Sequence, residues 1–187
     1  MSRNSIPRRR SVRRVVMAAA VGVPLLLTAC GSDDDGSSEP SEVTITASDY
    51  KFEGLPDSVA VGSTFSLANS SQKELHEAVA VRIPDDEERS IDELAALPEA
   101  ELEAIFAGEP AFVLLAMPDA AAADQIVAVG DGTVTEAGRY AVVCFIPTGA
   151  DPQAFMDAVA TSEGGPPDVE GGPPHFANGM YAEFEVG

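Results

Sequence analysis

An all-β sandwich is the fold class this sequence predicts, and three observations carry the prediction. From residue 43 onward, short stretches alternate apolar and polar residues at period two and recur at close spacing. Gly, Pro and Asn punctuate them as turn residues do. The pattern breaks in two places only: a small helical insertion at about 85–110, and a long Gly- and Pro-rich loop at about 148–173, before the last strand.

The elements follow in order. Residues 43–47 alternate and predict a first strand, which 50–52 continue beyond an irregularity at Ser48-Asp49. A turn at 55–57 leads to a short strand at 59–61, and Gly62-Ser63 turn the chain into a strand over 64–69. After a polar loop, 75–83 predict a strand that Pro84 stops. Ser90-Ile91-Asp92-Glu93 is a capping-box sequence. Leu94, Leu97, Leu102, Ile105 and Phe106 then predict two short helices, divided at Pro98, with their apolar positions packed on the sandwich. Residues 111–117 and 125–129 predict strands, 130–132 a turn, and 133–136 a short strand. Gly138 opens the strand that carries Cys144 and ends at Pro147. The loop that follows holds one predicted helix, 152–161, and a repeated Gly-Gly-Pro-Pro at 164–167 and 171–174. Residues 180–186 close the sandwich.

Residues 1–29 are set apart from this domain. Arg3, Arg8, Arg9, Arg10, Arg13 and Arg14 form a basic head, and 15–29 form an apolar run of 15 residues. A membrane span needs about 20, so the run reads as a bacterial export signal. It ends in Leu27-Thr28-Ala29-Cys30, which looks like a lipobox and predicts lipidation of Cys30. The expectation is a protein on the extracytoplasmic face of the cell membrane, anchored by lipid; Arg13-Arg14 leave the Sec and twin-arginine routes both open. Residues 30–42 form a flexible acidic tether, and 43–187 the domain.

All 31 acidic residues follow Cys30, against Lys51, Lys73, Arg82, Arg89 and Arg139, so the chain beyond the signal carries a net charge of −26. Such a surface repels nucleic acid, which is excluded as a partner, and favours cationic partners or plain solubility.

With Cys30 lipidated, Cys144 is the remaining thiol in an oxidising compartment, either buried and inert or a metal ligand. The chain has two histidines, His76 at the mouth of a strand and His175 five residues before Met180. One thiolate, two imidazoles and one thioether are the donors of a mononuclear copper electron-transfer site. Parity puts Tyr140, Val142, Cys144 and Ile146 on one face of their strand, and Met180 with Ala182, Phe184 and Val186 on the core face of the last. That position suits a ligand and also a plain core methionine. His76 shares its face with Ala78, Ala80 and Arg82, so small residues face the core there or the strand is irregular.

Gly138-x-Tyr140-x-x-x-Cys144 and Pro174-His175-x-x-x-Gly179-Met180, with Phe52, Pro56, Val59, Val61, Gly62, Asn69 and His76 upstream, resemble the cupredoxins, above all their plastocyanin-like members. The resemblance covers most of 43–187 outside the insertion and the long loop. It implies a cupredoxin-like Greek-key β-sandwich, one copper ion, His76, Cys144 and His175 as trigonal ligands, Met180 as the weak axial ligand, and one-electron exchange with a redox partner protein at the membrane surface; the acidic charge favours a basic one. Two features depart from the family. Thirty residues separate Cys144 from His175 where the family has a few, and Glu77 stands where plastocyanins carry an asparagine that supports the cysteine loop. Met156 is a substitute axial candidate. Copper storage or delivery on the same fold, and a metal-free interaction domain, are the alternatives. No Ser/His/Asp set is available once both histidines are committed, so an enzyme is not expected.

Overall fold

Burial follows the alternation of the first strand. In β1 (Glu42–Ser48) the residues Val43, Ile45 and Ala47 are buried while Glu42 and Thr44 face solvent. The computed structural model describes residues 39–162 and 167–187; the predicted signal sequence, Cys30, most of the tether and part of the Gly-Gly-Pro-Pro repeat lie outside the described residues.

β1 pairs with β2 (Lys51–Glu53) in antiparallel fashion and with β4 (Thr64–Asn69) in parallel, which makes a three-stranded sheet in the order β2-β1-β4. The second sheet has six strands in the order β3-β9-β8-β5-β6-β7. These are β3 (Ser58–Val59), β5 (His76–Arg82), β6 (Phe112–Ala116), β7 (Ile126–Val129), β8 (Gly138–Val143) and β9 (Tyr181–Val186). The main core lies between the two sheets, where Phe65 packs against Phe112 at 5.3 Å and Phe184 at 5.0 Å between ring centroids. Burying side chains of this size is worth roughly 1.5–3 kcal/mol each, an upper bound against a compact unfolded chain.

On β5 the small residues face the core, as one branch of the sequence reading allows: Ala78 and Ala80 are buried in the main core beneath larger neighbours. β8 is buried on both faces. Tyr140 and Val142 point into the main core; Ala141 and Val143 point outward into a second core with Ile83, Ile91, Leu94 and Phe176. This second core is what the insertion covers. α1 (Ile91–Ala95) and α2 (Glu99–Ile105) lie on the outer face of the larger sheet, as their apolar positions predict. The capping box forms: the Glu93 backbone N–H donates to Ser90 Oγ at 3.4 Å, and the Ser90 N–H donates to Glu93 Oε2 at 2.9 Å. Arg139 ties the insertion down by donating from Nη2 to the carbonyls of Glu87 and Arg89, each at 2.8 Å.

The structure differs from the sequence reading in details with local causes. Residues 133–136 form no strand; Thr133 makes an isolated bridge to Thr64 and Val134 plugs the core. Gly132 just before them has φ +86°, and a Cβ there would lie 2.5 Å from the Phe65 carbonyl oxygen, so the chain arrives too tightly turned to extend a ladder. The strand predicted at 59–61 is Ser58–Val59, because the turn through Gly62 at φ +91° already begins at Val61. The irregularity after β1 is Tyr50, held in the left-handed region at φ +61°. The helix predicted at 152–161 is α3 (Pro152–Thr161), started by Asp151, whose carboxylate accepts the Ala154 N–H at 2.8 Å.

Candidate metal centre

Three strand ends and one loop return meet at one end of the sandwich. His76 is the first residue of β5, and Cys144 follows the last residue of β8. Met180 precedes β9, and its carbonyl accepts the Cys144 N–H at 3.2 Å. His175 begins a 3-10 turn over His175–Asn178 that Gly179 ends in the left-handed conformation, φ +94°. All four candidate residues are buried, with Cys144, Met180 and both histidines fully inaccessible.

The thirty residues between Cys144 and His175 do not separate them in space. The loop leaves and returns through a hydrogen-bonded neck. Pro147 and Pro174 bridge; the Phe176 N–H donates to the Cys144 carbonyl at 2.7 Å, the His175 N–H to the Ile146 carbonyl at 2.9 Å, and the Thr148 N–H to the Pro173 carbonyl at 3.0 Å. Everything beyond the neck is an excursion whose ends are already joined. α3 anchors it by burying Phe155 in the main core. Met156, the substitute axial candidate, packs half-buried from α3 against that core.

The donor atoms converge. His76 Nδ1 lies 3.1 Å from His175 Nδ1, and Cys144 Sγ lies 3.3 Å from His175 Nδ1. One donor atom from each of His76, Cys144 and His175 falls within 4.8 Å of the others. Two imidazole nitrogens bound to one ion at about 2.0 Å in a trigonal plane stand roughly 3.5 Å apart, so a slight outward shift of the rings would admit one metal ion. The donor set therefore fits a single mononuclear centre. Met180 lies beside it by its backbone: its N–H donates to the His175 carbonyl at 3.1 Å, and its side chain is buried in the main core.

Burial also sets the protonation of the site. It lowers the His76 pKa to about 4, with His175 as a second, electrostatic cause. Burial likewise lowers that of His175, against the pull of the Glu74 carboxylate. Both imidazoles are neutral at pH 7 and ready to ligate. Burial, reinforced by the Glu77 carboxylate, pushes the Cys144 thiol far above its ordinary range. Without a cation it is a thiol, and a metal must displace its proton.

Three neighbours escaped the sequence reading or change its meaning. Glu77 ties its strand to the peptide after Cys144: Oε1 accepts the Phe145 N–H at 2.9 Å, while its own N–H points at Cys144 Sγ at 3.5 Å. Burial raises the Glu77 pKa to about 7. Glu74 Oε2 lies 3.4 Å from His175 Nε2, in contact without hydrogen-bond geometry, and accepts the Gly149 N–H at 3.1 Å. Tyr50 meets the His175 ring edge-on at 5.2 Å. Nothing near Glu74 or Tyr50 in the sequence marks them. Asn69, which the sequence reading names only for its resemblance, is buried, donates from Nδ2 to the carbonyls of Glu74 and Ala116 at 2.8 and 2.9 Å, and so holds the loop that carries Glu74.

No protein-family model matches the chain, and no curated protein sequence matches it with significance. Solved structures are similar to it at low identity. The dithionite-reduced auracyanin of the photosynthetic bacterium Roseiflexus castenholzii is 17% identical, with a TM-score of 0.42 over 82% of this chain and 99% of that one. Auracyanin A, a "blue" copper protein of the green thermophilic photosynthetic bacterium Chloroflexus aurantiacus, is 15% identical, with a TM-score of 0.36 over 78% of this chain and 99% of that one. A chain of a heme-copper terminal oxidase dimer is 14% identical, with a TM-score of 0.32 over 79% of this chain and 65% of that one. The strand order, the two packed sheets and the His76–Cys144–His175 cluster at one end define the class: a cupredoxin-like β-sandwich.

Proposed function

We propose that the protein is a one-electron carrier of the blue-copper type, exported and held at the extracytoplasmic face of the cell membrane through lipid on Cys30. The observation that carries the reading is the convergence of His76, Cys144 and His175 donor atoms within 4.8 Å in a buried pocket. Cys144 thiolate and the two imidazole Nδ1 atoms would hold one copper ion, with the Met180 thioether as a fourth, weaker donor. A copper ion held there would supply one-electron chemistry, the soft sulfur donors of Cys144 and Met180 favouring Cu(I) and the imidazoles of His76 and His175 tolerating both oxidation states.

The chain's own residues supply rigidity. Three of the donors sit on backbone hydrogen-bonded to the neighbouring donor segments: Cys144 to Met180 and Phe176, and His175 to Ile146 and Met180. Glu77 locks the start of β5 to the peptide after Cys144. A site held this way rearranges little when its charge changes, as fast one-electron exchange requires. Full burial excludes water and the side reactions of an exposed thiol. The reading has no reaction on a substrate and thus no catalytic residue.

The apolar run and the Leu27-Thr28-Ala29-Cys30 sequence support export and anchoring, and among the described residues no helix is long and apolar enough to cross a membrane. The test is optical. Loading the protein with Cu(II) is expected to give an intense blue thiolate-to-copper band that Cys144→Ser abolishes. A colourless protein that keeps stoichiometric copper would replace the carrier by storage or delivery, and a protein that takes up none would overturn the metal reading altogether.

A further inference from the structure

Beside the candidate centre lies an apolar groove of about 650 Å³. The insertion supplies one wall with Leu97, Leu102 and Phe106, and the ligand-bearing segments supply the other with Phe145, Phe176 and Ala177. Phe145 and Phe176 each follow a candidate ligand directly in the chain, and their rings meet at 5.7 Å. The Phe145 side chain is 40% exposed, unusual for a phenylalanine one peptide bond from a fully buried thiol. The opposite edge of the site is closed: Tyr50 and Glu74 cover His175, which has no accessible surface. The groove is therefore an apolar surface that two of the candidate ligands reach through the residues next to them in the chain, Phe145 and Phe176.

The rim states the charge of that partner. Glu99 and Glu103, four residues apart on one face of α2, line the groove and are exposed, and no basic residue lines it. A second copy of this chain fits poorly. Both copies are strongly acidic, and four of its five cations beyond the signal are engaged within the chain: Lys51 with Glu53, Arg82 with Asp85, Arg89 with Glu87, and Arg139 with Glu183 and backbone carbonyls. An anionic lipid surface is repelled in the same way.

We infer that this groove is a docking site for a basic protein that inserts an apolar edge between α2 and Phe145 and sets lysines or arginines against Glu99 and Glu103. An apolar centre inside a charged rim is the ordinary anatomy of a specific transient interface. That the docked partner exchanges electrons rests on the function proposed above; the docking itself does not, and it is tested without metal.

The probe is a lysine-rich cytochrome c, titrated at low ionic strength into the 15N-labelled, copper-free protein. Amide shifts are expected to centre on Leu97, Leu102, Phe145 and Ala177 and to saturate. Glu99→Lys/Glu103→Lys should weaken binding by about tenfold or more, while Glu42→Lys/Asp57→Lys, an equal charge change at exposed sites on β1 and before β3, should weaken it less than about threefold. Ala177→Asp separates contact from long-range attraction: it adds an acid, so it strengthens a purely electrostatic association and weakens one that needs the apolar floor. Equal weakening by the two reversals, tighter binding of Ala177→Asp, shifts centred on 48–50 and 70–74, or no saturable shift would each overturn the inference. Failure to turn blue on copper loading would overturn the proposed function and leave this titration standing.

Discussion

Glu77 Oε1 accepts the backbone N–H of Phe145 at 2.9 Å across 68 residues of chain, and this bond ties the histidine strand to the peptide that follows the candidate thiolate. A carboxylate in this place brings a tether and, above its pKa of about 7, a charge. Glu77→Gln keeps an acceptor and removes the charge; Glu77→Ala removes both. Glu77→Ala is expected to lose about 1–3 kcal/mol of stability, the cost of leaving a buried N–H unsatisfied, and to weaken copper retention. Glu77→Gln should retain copper and raise the reduction potential, because a negative charge beside the centre stabilises the oxidised state. Denaturant titration with potentiometry checks both, and a potential unmoved by Glu77→Gln would mean the group is held protonated.

Glu74 acts on the same centre from the other side, through His175 Nε2 at 3.4 Å. Glu74→Gln preserves an acceptor for the Gly149 N–H but loses the charge facing the imidazole. The expected outcome is a higher potential, by roughly 1–3 kcal/mol of differential stabilisation, with the blue band little changed. A large change in the band would instead make Glu74 part of the donor geometry.

The loop between Cys144 and His175 should be separable from the site it interrupts. Phe155 on α3 is buried in the main core, so Phe155→Ala is expected to cost about 3–5 kcal/mol and to lower Tm clearly. Because the neck at Pro147 and Pro174 is closed by backbone bonds of its own, the charge-transfer band of the loaded variant should keep its position. A shifted or missing band in a folded Phe155→Ala protein would show that α3 sets the ligand geometry.

Arg139 anchors the insertion through the carbonyls of Glu87 and Arg89. Arg139→Met should leave the main core intact and loosen 84–90, read as faster limited proteolysis there, with a stability loss of about 1.5–3 kcal/mol for charged hydrogen bonds.

In that same stretch, Arg89 hydrogen-bonds Glu87 and holds its carboxyl at a pKa of about 2, below the ordinary 4.5. A depressed folded-state pKa means stability that is present above pH 4.5 and lost as the pH falls toward 2. Glu87→Gln is therefore expected to flatten the acid limb of the stability profile over that window, because it removes a contribution that the parent protein holds at neutral pH and loses in acid. Carboxylate chemical shifts across the titration check the assignment.

Much of this protein is determined by local chemistry and was legible in the sequence. Alternation placed β1, β4 and β9, because a strand with one buried face must repeat every second residue. The Ser90–Glu93 box started α1 where orphan N–H groups need acceptors, and the helix over 152–161 was predicted from Pro152 onward. The donor types of His76, Cys144, His175 and Met180 by themselves make a metal centre the sharpest reading of the sequence. What only the tertiary structure decided are contacts with no local signature. His76 and His175 meet across 99 residues, and nothing within either segment records it. Whether the thirty residues after Cys144 return was decided by hydrogen bonds at the neck, and the choice of Glu74, Glu77 and Tyr50 as neighbours by how the two sheets pack. Sequence patterning reports which face of an element is buried; which residues share that burial follows from packing, where distant segments compete for one volume.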